Sequence, residues 1–220
     1  MAFPDENKAP TPSAPIPIPI IPLPNNISIR AYHPSDAPSI SLSANNPAIK
    51  NNLRNRFPHP YLESDALTWI SLANDPTNAI ATGPLDTSST STTTTGTGPK
   101  IPTHCTITVN SIAVGSIGLD FASPAEIYAR SAELGYWLDE TYWGKGIMGV
   151  VVPAFVEWAW WTFGVLERLN AEVESGNVRS RRILERAGFA VEGRRERAIW
   201  RGGEFRSVLL LGMLRPEALR

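Results

Sequence analysis

At 220 residues, with 42% hydrophobic residues and a formal net charge of −1, the chain has room for one domain of moderate size plus tails or insertions. The near-neutral balance argues against a general nucleic-acid partner, and no apolar run approaches membrane-spanning length. Met1-Ala2-Phe3-Pro4-Asp5-Glu6 lacks a basic region followed by an apolar core, so a cytoplasmic protein with no membrane partner is expected. One cysteine, Cys105, excludes an intrachain disulfide framework and a Cys-based zinc site, and His33, His59 and His104 are far apart and outside any H-E-x-x-H pattern. No metal is expected.

Residues 1–25 read as a proline-rich, disordered arm; Pro15-Ile16-Pro17-Ile18-Pro19-Ile20 cannot pair as a central strand. Alternation in Ile27-Ser28-Ile29-Arg30-Ala31 predicts a short strand. Ser35 and Asp36 open a helical stretch, a second helix is expected over 47–54, and the apolar spacing of 62–73 predicts a third. The Ser/Thr/Gly tract at about 83–100 has almost no apolar content and reads as a mobile insertion. A hairpin follows, 105–110 and 112–120 about Asn110-Ser111, then a strand over 132–138. Residues 148–166 predict a long helix whose tryptophans belong to the core. A strand over 169–173, a helix over 177–187 ended by Gly188, and closing strands 190–199 and 206–213 complete one mixed α/β domain over 26–214.

The stretch that points to a ligand follows the 132–138 strand. Around the first turn of the long helix stand Gly144, Lys145, Gly146, Ile147, Met148 and Gly149, with no Ser, Thr, Asp or Asn. Those four side chains ordinarily satisfy the orphan N–H groups of a helix start; without them the donors and the dipole favour an anion. The same residues fit G-x-G-x-x-G, but the following strand is not read as ending in an acidic ribose ligand, and the upstream hairpin does not suit a parallel nucleotide-binding half. No Gly-Lys-Ser/Thr is present for a P-loop. Nine arginines lie between Arg179 and Arg206. They form either a solvated face laced with Glu185 and Glu192 or a positive patch beside an anionic ligand.

Asn177-Val178-Arg179-Ser180-Arg181-Arg182-Ile183-Leu184-Glu185-Arg186-Ala187-Gly188-Phe189-Ala190-Val191-Glu192-Gly193 resembles the N-x-x-S-x-x-x-L-E-K-x-G-F-x-x-E-G signature of the GCN5-related N-acetyltransferases, nearest to their ribosomal-protein alanine/serine acetyltransferase-like branch. In order along the chain, Arg56 to Tyr61 with Asp65-Ala66 and Trp69-Ile70, Val114 to Leu119, Ala132 to Leu138 and Tyr142 to Met148 resemble further segments of that branch.

The resemblance implies a GNAT fold: a central mixed sheet, helices on both faces, splayed between the 132–138 and 169–173 strands. It implies acetyl-CoA as co-substrate in that wedge. The pyrophosphate would sit on the backbone of Gly144 to Gly149 beside Trp143, with the pantetheine arm along Tyr136-Trp137-Leu138. Asn177 would contact the pantetheine and Ser180 the thioester sulfur; a plain N-cap is the other reading of Asn177. The reaction implied is acetyl transfer to a primary amine, of a peptide N-terminus or a small molecule, by direct attack in a ternary complex. The alternative is a non-catalytic acyl-CoA-binding module of the same fold. The candidate base is Glu133, then Asp120; Glu133 could equally be an outward, ion-paired strand residue. Leu184 occupies the position of the tyrosine acid of many members, leaving Ser180 as proton donor and Tyr136 as a lesser choice between donor and packing residue. The acceptor pocket is expected from 47–61 and the strand ends. Pro153 implies that the long helix either starts late or bends.

Overall fold

The computed structural model describes residues 15–53, 58–84 and 96–219. In chain order its strands and helices are β1 (Ile21–Leu23), β2 (Ile27–Arg30), α1 (Ala37–Ala44), α2 (Pro47–Lys50), α3 (Glu63–Ala73), β3 (Ile80–Ala81), β4 (Lys100–Ile101), β5 (His104–Val109), β6 (Ile112–Phe121), β7 (Ser131–Leu138), α4 (Ile147–Thr162), β8 (Arg168–Glu174), α5 (Val178–Arg186), β9 (Ala190–Arg201) and β10 (Glu204–Leu214). Eight strands form one sheet in the order β1-β2-β5-β6-β7-β8-β10-β9. All its neighbours are antiparallel except β7 and β8, which α4 connects as a parallel crossover.

The β7–β8 pairing decides the architecture. It holds for Ser131↔Arg168, Ala132↔Leu169 and Glu133↔Asn170. Beyond Glu133 the two strands part: β7 keeps β6 on its other side, and β8 pairs with β10 as far as Glu174. A wedge therefore opens in the middle of the sheet, from Leu134 to Leu138.

The two faces of the sheet differ in how they are held. On one face Ile29, Cys105, Ile107, Ile117 and Leu119 pack against Val151, Phe155, Ala159 and Trp160 of α4. Burying each large apolar side chain there contributes roughly 1.5–3 kcal/mol. Burial also pushes the Cys105 thiol up to about 12. On the other face α1 and α3 enclose a smaller core of Tyr32, Ile40, Ala66 and Ile70. A bidentate ion pair anchors α1: Arg30 Nη1 and Nη2 meet Asp36 at 2.8 and 2.7 Å, with both side chains almost fully buried. Asp36 also accepts the His33 N–H at 2.9 Å.

Several sequence expectations need correction. The segment read as disordered up to residue 25 contains β1, although residues 1–14 lie outside the described residues. Pro22 is tolerated because β1 is the edge strand, where its missing N–H interrupts no second ladder. The second helix ends at Lys50, and residues 54–57 are not described. Helix α4 starts at Ile147 and runs through Pro153, so it does not start late. The Gly149 carbonyl loses the N–H that residue 153 would have supplied. Trp160 is core and Trp158 half-buried against Phe155 and Phe163, but Trp161 is exposed.

The base of the Ser/Thr insertion is tied down. β3 pairs with β4, the Gly98 N–H donates to Thr82, and Gly83 bridges to Phe163; residues 85–95 are outside the described set. At the far end of α4, Arg215 donates to the carbonyls of Trp160, Phe163 and Leu166 at 2.9, 3.2 and 2.9 Å.

Candidate active site

The loop from Leu138 to Ile147 lies at the mouth of the wedge. Asp139 accepts the Thr141 N–H and hydroxyl and a Ser43 hydroxyl, which fixes the turn that leaves β7. These hydrogen bonds hold the Asp139 carboxyl below the usual carboxylate range against the opposing effect of its burial. The indole N–H of Trp143 donates to the Leu138 carbonyl at 2.7 Å, folding the loop back on the strand. Gly144 and Gly146 both have positive φ, +74° and +77°, where a side chain would be strained. Gly146 is the N-cap of α4 and no side chain caps that helix start. The Gly149 N–H turns back to the Gly146 carbonyl at 3.0 Å, while the N–H groups that precede it have no side-chain cap and suit an anion; a Cβ at Gly144, Gly146 or Gly149 would meet nothing within 4 Å. Lys145 lies 5.0 Å from the centre of the Tyr142 ring. Ile147 and Met148 are buried beneath the turn.

Across the wedge stands the start of α5. Asn177 is its N-cap, Oδ1 accepting the Ser180 N–H at 3.1 Å, so the capping reading of this residue describes its carbonyl oxygen. Ser180 faces β7: the Tyr136 hydroxyl is 2.8 Å from Ser180 Oγ and 3.2 Å from its carbonyl oxygen. Burial pushes the Tyr136 phenol up to about 12, against a smaller lowering by the Ser180 contact. Tyr136 is therefore a neutral hydroxyl at ordinary pH, able to donate. Leu184 is buried, 1% exposed, and supplies no acid.

Side-chain alternation places the remaining candidates on the opposite face. Asp120 is directly across from Glu133, one strand from the point where the wedge begins. Glu133 is half-buried and engaged in interactions of its own. Asp120 Oδ1 lies 3.1 Å from His104 Nε2. Gly135 is exposed, and nothing lies within 4 Å of where its Cβ would be. Trp137 is half-buried against the α1–α3 core. A cavity of about 560 Å³ adjoins this face, lined among others by Tyr61, Asp65, Trp69, His104 and Asp120. Among the described residues it takes Pro58 and Tyr61 from 47–61, and α3 adds Asp65 and Trp69; Phe57 is outside the described residues. His104, which sequence spacing did not single out, is the notable addition.

The arginine-rich stretch resolves mostly as a solvated face. Arg181 pairs with Glu185, Arg195 with Glu172, Arg194 with Glu196 and Arg206 with Glu174. Arg179 is different: its guanidinium lies 5.4 Å from the centre of the Trp143 ring, spanning from α5 to the loop. The strand after α4 does end in an acid, Glu174, contrary to the sequence reading, but that carboxylate is held by Arg206 at 2.8 Å. Among the described residues no group of three His, Cys, Asp or Glu is placed to hold a metal ion, and no helix is long and apolar enough to cross a membrane.

Residues 26–190 match the acetyltransferase (GNAT) domain. The chain belongs to the GNAT acetyltransferase family. It is 35% identical over 88 residues, 40% of this chain and 48% of the relative, to a Bacillus subtilis (strain 168) protein named "Probable N-acetyltransferase YjcK". It is 32% identical over 77 residues, 35% of this chain and 42% of the relative, to the ribosomal-protein-serine acetyltransferase of Escherichia coli (strain K12). The chain thus spans about half the length of the curated relatives it matches. RimL, a ribosomal L7/L12 alpha-N-protein acetyltransferase solved in complex with coenzyme A, superposes with a TM-score of 0.65 at 18% identity, covering 88% of this chain and 97% of that one. These matches establish the GNAT fold, a mixed sheet with helices on both faces, and a likeness to the ribosomal-protein acetyltransferases.

Proposed function

We propose that this GNAT protein transfers an acetyl group from acetyl-CoA to a primary amine, of a peptide N-terminus or a small molecule, by direct attack in a ternary complex. The observation that carries the reading is the break in β7–β8 pairing after Glu133 beside an uncapped α4 start. An open strand edge can pair with an extended amide-bearing arm, and the helix start can take a pyrophosphate. The complex of RimL with coenzyme A supports the choice of ligand.

In this reading the backbone of Gly144 to Gly149 holds the pyrophosphate, with Trp143 and Lys145 at its edge. The β7 edge at Tyr136, Trp137 and Leu138 straightens the pantetheine, and the Asn177 amide contacts it. On the opposite face Glu133 and Asp120 make the acceptor side negative, which favours approach of an ammonium; because that charge also favours the protonated form, a carboxylate must accept the proton itself, directly or through water. The neutral amine attacks the thioester carbonyl and the C–S bond breaks; the proton leaving nitrogen passes to Glu133 or Asp120, directly or through water, the thiolate takes a proton from Ser180, which Tyr136 supports, and Ser180 is reprotonated from solvent. General acid–base groups contribute about a hundred- to ten-thousand-fold; alignment of amine and thioester contributes much of the remainder.

The test is release of free thiol from acetyl-CoA with peptides, polyamines and small amines as acceptors. Thiol release with a matching acetylated product is expected for at least one acceptor class. A coenzyme A-induced rise in Tm with no thiol release from any acceptor would overturn this reading in favour of a non-catalytic acyl-CoA-binding module.

A further inference from the structure

On the acceptor face a side chain other than the two carboxylates is placed beside the wedge with a nitrogen that can accept a proton. His104 opens β5, and the sheet register runs His104↔Gly118↔Gly135 across three strands on one face. The imidazole lies over Gly118: a Cβ there would come within 2.2 Å of Nδ1 and 2.8 Å of Cγ. The glycine is thus what makes room for the ring. Trp69 of α3 closes it from above, edge-on at 5.1 Å and 77°. Asp120, two residues along β6 on the same face, holds Nε2 at 3.1 Å.

The proton inventory follows from these contacts. An ionised carboxylate can only accept, so Asp120 fixes the neutral imidazole with its proton on Nε2 and the lone pair on Nδ1. Nδ1 lies over Gly118, one strand spacing of about 4.8 Å from Gly135. Gly135 in turn has no side chain to cover the β7 surface beside the wedge. Among the described residues, Asp120 from β6 and Trp69 from α3 face the ring. Asp65 and Tyr61 line the same cavity, and Glu133 lies across from Asp120 on β7.

We propose that His104 is the general base of the acetyl transfer, with Asp120 and Trp69 as positioning residues; this rests on the transferase reading above. As the amine nitrogen forms its bond to the thioester carbonyl, its proton passes to His104 Nδ1. The C–S electron pair leaves on sulfur, which takes a proton from Ser180. The imidazolium, paired with Asp120, then returns its proton to water while the Ser180–Tyr136 hydroxyls are reprotonated from solvent.

The experiment measures thiol release against pH for the wild-type chain, His104→Gln, Asp120→Asn and Gly118→Ala, with the best acceptor from the amine panel. For His104→Gln, kcat falls about a hundredfold, the KM for acetyl-CoA is unchanged, and the acid limb of the pH profile flattens. Asp120→Asn, at a partly exposed carboxylate, moves the acid limb and lowers kcat less. Gly118→Ala displaces the ring without removing it and lowers kcat in the same direction. If His104→Gln does not fold, Asp120→Asn carries the test, and an unmoved acid limb overturns the proposal. An active wild type with His104→Gln at full kcat and an unaltered profile overturns this proposal alone. A wild type that releases no thiol overturns the transferase reading and this one with it.

Discussion

The two faces of β7 are built from different physics. Toward α4 and α5 its side chains enter a large apolar core, and the polar group among them, the Tyr136 hydroxyl, is neutral and hydrogen-bonded to Ser180. Toward α1 and α3 the core is small, the anchor is a buried ion pair, and the partly exposed groups are carboxylates and an imidazole. The division suits a thioester meeting an amine. A departing thiolate is best served by an uncharged donor out of water, whereas an approaching ammonium needs negative charge and a proton acceptor. Alternation along a single strand is enough to keep the two environments apart.

The comparison can be broken most severely at the anchor of the acceptor side. Asp36→Ala leaves Arg30 buried without its counter-ion, and a loss of about 3–5 kcal/mol is expected in urea denaturation. An equal loss from exposed Glu185→Ala would show that burial is not the cause. On the cofactor side Ser180→Ala is expected to lower kcat about a hundredfold or more while the Tm rise induced by coenzyme A persists; a lost Tm response instead would make Ser180 a binding residue. Gly135→Val tests the open floor between the faces. Its side chain meets no atom within 4 Å of Cβ, so Tm should hold while kcat/KM for the amine falls up to about a hundredfold through misplaced substrate. Retained activity would mean that the acceptor approaches elsewhere.

The smallest expected effect sharpens the contrast. Tyr136→Phe should lower kcat about tenfold and stability by about 1 kcal/mol, the net worth of one hydrogen bond. It should also change the alkaline limb of stability. The folded phenol is raised to about 12 above an unfolded value near 10, so its protonated form is favoured by folding. That contribution is complete below about pH 10 and is lost as pH rises toward 12. Alkaline melts of wild type and Tyr136→Phe should therefore converge and cross within this window. Parallel curves would mean that Tyr136 does not titrate differently on folding.

Much of this was legible in the sequence because the signals were local. The 147–162 helix, the 104–121 hairpin and the Asn177 cap are set by periodicity, a two-residue turn and a capping side chain. The missing cap before Ile147 was legible for the same reason, and no side chain caps that helix start. What escaped was set by position in the sheet. Nothing in Ile21-Pro22-Leu23 announces a strand; it is one because an edge tolerates proline. Glu174 was passed over as a strand terminus because its ion pair with Arg206 is non-local. His104 was invisible because its partner stands sixteen residues on and its seat is a glycine on the neighbouring strand. A sequence search for histidine opposite glycine in a predicted hairpin could have raised it.

Arg215 has a consequence of its own. A sheet that is split near its middle transmits strain poorly from one half to the other, and coenzyme A would enter at that split. The three carbonyls gripped by Arg215 fasten the end of α4 to the segment that follows β10, so the crossover helix is linked to the closing strand. It works as a tie rod across a structure with a doorway cut in it.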